Sequence, residues 1–132
     1  INPFSLYSYF CCDEAKHTRG LSMILDRPES GVLLLLQLER KVIGMANLIF
    51  LVSTAEGAPV VLLEDFIIAA GHRSNGRGRF FMESIQEYVR KNGFTRLTLL
   101  VDRENQPGKA FYRAMGFRPS AMECLRWFSA PR

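Results

Sequence analysis

Apolar residues along the chain gather in blocks, and the spacing inside each block predicts a different element. From about Phe4 to Leu25 the pattern is mixed, with Ala15, Leu21, Ile24 and Leu25 able to share one helical face. Asp26-Arg27-Pro28-Glu29-Ser30-Gly31 then stops that helix and turns the chain. Val32 to Leu38 is the apolar run of a buried strand, Glu39-Arg40-Lys41 is a tight turn, and Val42 to Val52 is a second strand, so the two read as a hairpin. Ser53 to Ala58, carrying Glu56-Gly57, is another turn, and Pro59 to Ala69 follows as a third strand.

Beyond that strand the period changes. Phe81, Ile85, Tyr88 and Val89 recur as one face of an amphipathic helix over Arg79 to Lys91, which Asn92-Gly93 caps. Leu97, Leu99 and Val101 alternate as a strand. Asn105 and Pro107 open a helix that runs to about Met115 and ends at Gly116, and Met122 to Phe128 reads as a last strand. The order is helix, three antiparallel strands, helix, strand, helix, strand. It predicts an α/β fold, a mixed sheet with helices on both faces.

A chain of 132 residues fits one domain with a core large enough to need neither disulfides nor a structural metal. The longest strongly apolar run, Val32 to Leu36, is far too short to cross a bilayer, and no secretory signal pattern opens the chain. The chain begins at Ile1 rather than Met, which leaves a cleaved leader open. Three cysteines are an odd number, and Cys11 and Cys12 are adjacent, without metal-ligand spacing to a histidine. A reduced, cytoplasmic setting is the expectation, with Cys124 as a small buried hydrophobe.

Charge adds position to this picture. The net charge is +4, and Arg73, Arg77 and Arg79 fall close together with no carboxylate among them. Arginines packed around glycines suit one compact phosphate group better than a long polyanion, which argues against a nucleic-acid surface. The segment Arg73-Ser74-Asn75-Gly76-Arg77-Gly78 lies between a strand end and a helix start, where unpaired backbone N–H groups and the helix dipole favour an anion. Gly76 and Gly78 allow the backbone a close approach. No Gly-Lys-Ser/Thr follows, so this is no nucleotide P-loop, and G-x-G-x-x-G is absent. Taken alone, the segment fits a glycine-rich surface turn with solvated arginines equally well.

A downstream unit decides between these. Asn105, Ala110, Phe111-Tyr112 and Gly116-Phe117 follow the loop across one strand. With both units in order, the sequence resembles the GNAT superfamily of N-acetyltransferases. Arg73, Gly76 and Gly78 match its Q/R-x-x-G-x-G/A coenzyme A loop, while Asn105, Tyr112, Gly116 and Phe117 match its second segment. The resemblance covers about Val32 to Phe117. Family members usually start with a strand and a helix before the element at Ala15 to Leu25, so the amino-terminal part is expected to be missing, supplied by a partner or rearranged. Arg79 stands where an apolar residue is common.

The resemblance implies the acyl-CoA N-acyltransferase fold, acetyl-CoA as cosubstrate bound along Arg73, Ser74, Asn75, Gly76, Arg77, Gly78 and Arg79, and no metal. It implies Tyr112 as the acid that protonates the departing sulfur, a role a phenol can fill. The strand before the loop would offer main-chain amides of Phe66, Ile67 and Ile68 to the acetyl carbonyl, Ile68 first. Asn105 would hold the pantetheine arm, and it also suits a plain helix N-cap.

An amine arrives protonated, so a base or a held water is needed, and Glu64 is the first candidate, Asp65 the second. Neighbours in a regular strand face opposite ways, so one of the two turns from the cleft unless a bulge intervenes. The Leu63-Glu64-Asp65-Phe66 run resembles the diamine and polyamine acetyltransferase branch. His72 beside the loop, His17 and the pair Trp127 and Phe128 are weaker candidates, each with an ordinary surface or core role available.

The leading expectation is therefore acetyl transfer from acetyl-CoA to a primary amine on a small molecule. Its alternatives are a protein or peptide N-acetyltransferase and a non-catalytic coenzyme A-binding regulatory module. Neither nucleic acid nor membrane is an expected partner. Many relatives pair subunits, which makes a homodimer the expectation.

Overall fold

The hydrophobic blocks fold into a helix, α1 (Glu14–Leu25), and a sheet whose strands lie in chain order: β1 (Gly31–Leu38), β2 (Lys41–Ser53), β3 (Ala58–Ile68) and β4 (Leu97–Leu99). A 3₁₀ turn (Ala70–His72) and α2 (Arg77–Lys91) connect β3 to β4, and α3 (Gln106–Ala114) follows β4. This computed structural model describes residues 14–73 and 75–130; Ser74, Cys11 and Cys12 lie outside the described residues. The chain divides at Leu100 into two compact units. The first holds α1, the sheet and α2; the second holds α3 and the residues after it.

In the first unit β1–β2 and β2–β3 are antiparallel and β3–β4 is parallel, so the sheet is mixed, as the element order predicts. The β1–β2 turn is a two-residue loop in which Glu39 (φ 49°) and Arg40 (φ 67°) both adopt left-handed backbone, the geometry that matches strand twist in a short hairpin. Asn47 lies opposite Asp65 and Ala46 opposite Phe66, and alternation puts these pairs on opposite faces. His17 of α1 reaches Asp65, whereas Phe81 of α2 stacks on Phe66 with centroids 5.5 Å apart. Helices thus cover both faces. The middle of β2, where Ile43 to Leu48 are all buried, lies between them.

Helix α2 turns Phe81, Met82, Ile85 and Val89 inward, and the complete removal of Met82 and Ile85 from water makes this the main apolar contact of its face. Helix α1 differs from the expectation. Its inward positions are His17, Gly20, Leu21 and Ile24, while Ala15 and Leu25 are exposed. Those four obey the i, i+3, i+4, i+7 rule, and the two outliers do not share their stripe.

Gly31 opens β1 where α1 and β2 crowd it. A Cβ there would stand 2.4 Å from the Leu48 carbonyl oxygen, a main-chain atom that cannot swing aside. Gly31→Ala is expected to cost about 2–3 kcal/mol by forcing β1 off β2. Chemical denaturation checks it, as a lowered midpoint with an unchanged slope.

The second unit corrects three expectations. Val101 lies beyond β4, which ends at Leu99. No strand forms over 122–128, and Met122, Leu125 and Trp127 are 84–90% exposed. Cys124, expected in a core, is exposed too. A strand needs a partner edge as well as apolar alternation, and among the described residues none pairs with this segment. Phe128 is likewise exposed, so neither it nor Trp127 serves as a core residue. Among the described residues no helix is long and apolar enough to cross a membrane.

Candidate active site

Strand β3 outlasts its parallel neighbour. Pairing with β4 covers only Val61 to Leu63, while pairing with β2 continues to Ile68. Between Asn47 and Leu48 the β2–β3 register shifts, and Glu64 is the extra residue on β3. This is a bulge, and it resets which main-chain groups face which edge. Before it, Val61 N–H points to β4, donating to Arg96 O. After it, Ala69 N–H points to β2, donating to Ile43 O at 2.7 Å. By alternation, Ile67 faces β2, and Phe66 and Ile68 turn their N–H and C=O groups to the edge that β4 has left.

Arg73 uses that edge. Its Nε donates to the Ile68 carbonyl at 2.9 Å, which ties the loop back to the end of β3. The remaining guanidinium N–H groups are additional donors at the same place. After Asn75, which is exposed, Gly76 (φ 74°) is the N-cap of α2, and it has no side chain with which to cap that helix. The first N–H groups of α2, from Arg77, Gly78 and Arg79, thus have no intrahelical acceptor. A Cβ on Gly76 would meet nothing within 4 Å among the described residues. Uncapped amides, a left-handed glycine and an adjacent guanidinium are what a phosphate requires. The other arginines take lateral roles: Arg77 bonds His72 Nδ1 at 3.0 Å, and Arg79 pairs with Glu83 along the exposed flank of α2.

The acid pair on β3 separates at the bulge. Glu64 is exposed. Asp65 has a side chain only 10% exposed, receives Asn47 Nδ2 at 3.2 Å and faces His17 Nε2 at 3.7 Å. Burial pushes the Asp65 carboxyl up to about 6 and the His17 imidazole down. Asn47 is 4% exposed, and its Oδ1 is buried with no hydrogen-bond partner among the described residues. His17 carried no sequence signal stronger than that of any lone histidine, and Asn47 carried none at all. Only the fold brings them to Asp65.

In the second unit, Asn105 Oδ1 accepts from Gly108 N–H at 3.0 Å, so Asn105 is the N-cap of α3. Tyr112, Gly116 and Phe117 close the other end of that helix. Gly116 (φ 94°) donates to Arg113 O, and Phe117 donates to Tyr112 O at 3.0 Å. The Tyr112 ring meets Phe117 edge-on with centroids 5.8 Å apart and Phe111 at 5.5 Å. This is a Schellman cap with its apolar contact. Burial raises the Tyr112 hydroxyl above its usual value, so it carries its proton at neutral pH. Among the described residues no group of three or more His, Cys, Asp and Glu side chains stands close enough to hold a metal ion.

Comparison with known proteins adds ancestry to this geometry. Streptothricin acetyltransferase of Streptomyces lavendulae is 40% identical over 55 residues, 42% of this chain and 29% of the relative's length. The match thus spans less than a third of that curated relative. A possible acetyltransferase from Clostridium difficile 630 shares the fold with a TM-score of 0.84 at 15% identity, over 97% of this chain and 87% of its own. An aminoglycoside acetyltransferase from an uncultured soil metagenomic sample, solved in complex with sisomicin, superposes with a TM-score of 0.69 at 18% identity, over 86% of this chain and 73% of its own. The sequence model of the Acetyltransferase (GNAT) family matches residues 4–117. With most of its length matched in this way, the chain belongs to the GNAT acetyltransferase family.

Proposed function

We propose that the protein transfers an acetyl group from acetyl-CoA to a primary amine of a small, polycationic molecule, of the kind that the streptothricin and aminoglycoside acetyltransferases act on by name. The observation that carries this reading is the end of β3: an α2 led by Gly76, which has no side chain to cap it, with Arg73 anchored on Ile68 beside main-chain groups turned to the edge that β4 has left. Acetyl-CoA supplies the acyl group as a thioester. The amides of Gly76, Arg77, Gly78 and Arg79 and the Arg73 guanidinium bind the diphosphate, with Ser74 and Asn75 part of the same segment. The edge to which Phe66 and Ile68 turn takes an extended, amide-bearing arm, and the Ile68 N–H stabilises negative charge developing on the acyl oxygen.

Asp65 is the proton acceptor for the amine. Its largely buried carboxyl, held by Asn47, has a proton affinity raised to about 6, close to neutral pH, which a base needs. Glu64, exposed at the bulge, adds negative charge that attracts a cation. Tyr112 donates its proton to the departing sulfur, and the side-chain N–H₂ of Asn105, whose Oδ1 serves the cap, is a donor for the coenzyme arm. A polyamine fits the same chemistry, since any acceptor here must lose one ammonium proton while its other charges face acids.

The test is acetyl-CoA consumption with streptothricin, sisomicin, spermidine and a lysine-containing peptide as acceptors, alongside calorimetry of acetyl-CoA alone. Saturable binding of acetyl-CoA and turnover confined to the small amines are expected. Absence of acetyl-CoA binding by the folded chain would overturn the reading, and turnover of the peptide alone would move the substrate class to proteins.

A further inference from the structure

Asp65 is approached by polar groups from two elements: His17 Nε2 of α1 and Asn47 Nδ2 of β2. From its own strand, Glu64 is exposed and Phe66 turns to the α2 face. Lys16, next to His17 on α1, is exposed. Sheet packing does not call for this polar trio. Ile43 and Met45, the preceding positions of β2 on the same face, are apolar and 1% exposed, and an apolar continuation would avoid the desolvation cost that the trio carries. The buried, unsatisfied Oδ1 of Asn47 adds to that cost, and such groups call for a functional explanation. Burial also draws the two titrating groups together, the carboxyl upward and the imidazole downward, which is the condition for easy proton exchange.

We propose that His17 is a positioning residue that relays to solvent the proton Asp65 takes from the acceptor's ammonium, while Asn47 holds the carboxylate in place. The proposal rests on Asp65 being the amine's base. The steps balance. The ammonium N–H bond breaks as the Asp65 O–H bond forms, leaving a neutral amine whose lone pair forms the new C–N bond. When the 3.7 Å gap closes to hydrogen-bond length, the carboxyl proton moves to His17 Nε2, restoring the carboxylate, and the imidazolium loses a proton to water. A ring with two nitrogens can accept at one and release at the other, which no other side chain does near neutral pH.

The experiment combines an NMR pH titration of the His17 ring in the intact chain with turnover of streptothricin. In the unaltered protein the ring resonances are expected to show, besides the ring's own titration, an inflection near pH 6 as Asp65 ionises, and Asp65→Asn is expected to remove that second inflection. His17→Gln is expected to lower kcat about tenfold at pH 6, with acetyl-CoA affinity changed less than twofold and the deficit shrinking as pH rises. Added imidazole is expected to restore His17→Ala. The same ring titration with and without Asp65→Asn, or a pH profile for His17→Gln that matches the unaltered protein, would overturn the relay. Should the His17 variants fail to fold, the titration in the unaltered protein still decides. Loss of turnover in Asp65→Asn with none in His17→Gln would sink the relay alone. Full turnover in Asp65→Asn would sink the base assignment beneath it.

Discussion

Asp65→Asn is expected to make the protein more stable at pH 8 while lowering kcat about 100-fold or more. The two effects share one cause. In the folded chain the carboxyl holds its proton up to about pH 6, against 3.8 for an unperturbed aspartate, because burial penalises the charged form. Ionisation therefore works against folding. That penalty is absent below about pH 4, grows between about 4 and 6, and is complete above. An asparagine carries no charge and can still accept from Asn47, so its gain follows the same window, reaching about 1–2 kcal/mol after allowance for solvent at the rim. Thermal melts of both proteins at pH 4 and pH 8 check this: the curves should coincide at the lower pH and separate by several degrees at the higher. A base is the one thing asparagine cannot be, so the loss in kcat tests chemistry rather than folding. Equal melts at both pH values would remove the desolvation argument.

Tyr112→Phe is expected to lower kcat about 100-fold with acetyl-CoA affinity and Tm nearly unchanged. The separation is possible because the ring and the hydroxyl have different employment. The ring completes the α3 cap against Phe117 and packs on Phe111, and phenylalanine keeps both contacts. The hydroxyl, raised by burial, keeps its proton at neutral pH, as the proposed acid must. Steady-state kinetics with the acceptor identified in the panel measures the first effect and calorimetry the second. An undiminished kcat would leave Tyr112 only its part in the helix end.

That part explains why the downstream motif was so readable. Tyr112, Gly116 and Phe117 are spaced as the third residue from a helix end, its left-handed glycine and the apolar residue after it. Helix α2 ends the same way with Val89, Gly93 and Phe94: Gly93 (φ 78°) donates to Arg90 O and Phe94 to Val89 O. Helix ends, the β1–β2 hairpin and the Gly76 cap are local, and each leaves its signature within a few residues. The trio at Asp65 does not. The bulge that separates Glu64 from Asp65 depends on the register against β2, and His17 meets Asp65 only once α1 lies across the sheet. The segment 122–128 shows the converse error. Its alternating apolar residues suit a strand, but alternation says nothing about whether an edge is available to pair with.

The brevity of β4 has a dynamic consequence. Three paired residues join it to β3, whereas β2 holds β3 along nearly its whole length. Separating β4 breaks few ladder bonds, so this seam opens at less cost than the β2–β3 ladder. Amide hydrogens at Val61 and Leu63 should therefore exchange with solvent sooner than those β3 donates to β2, and filling the seam should slow them. Under the proposed function, breathing at that joint would loosen the strand whose far end is proposed to hold the thioester.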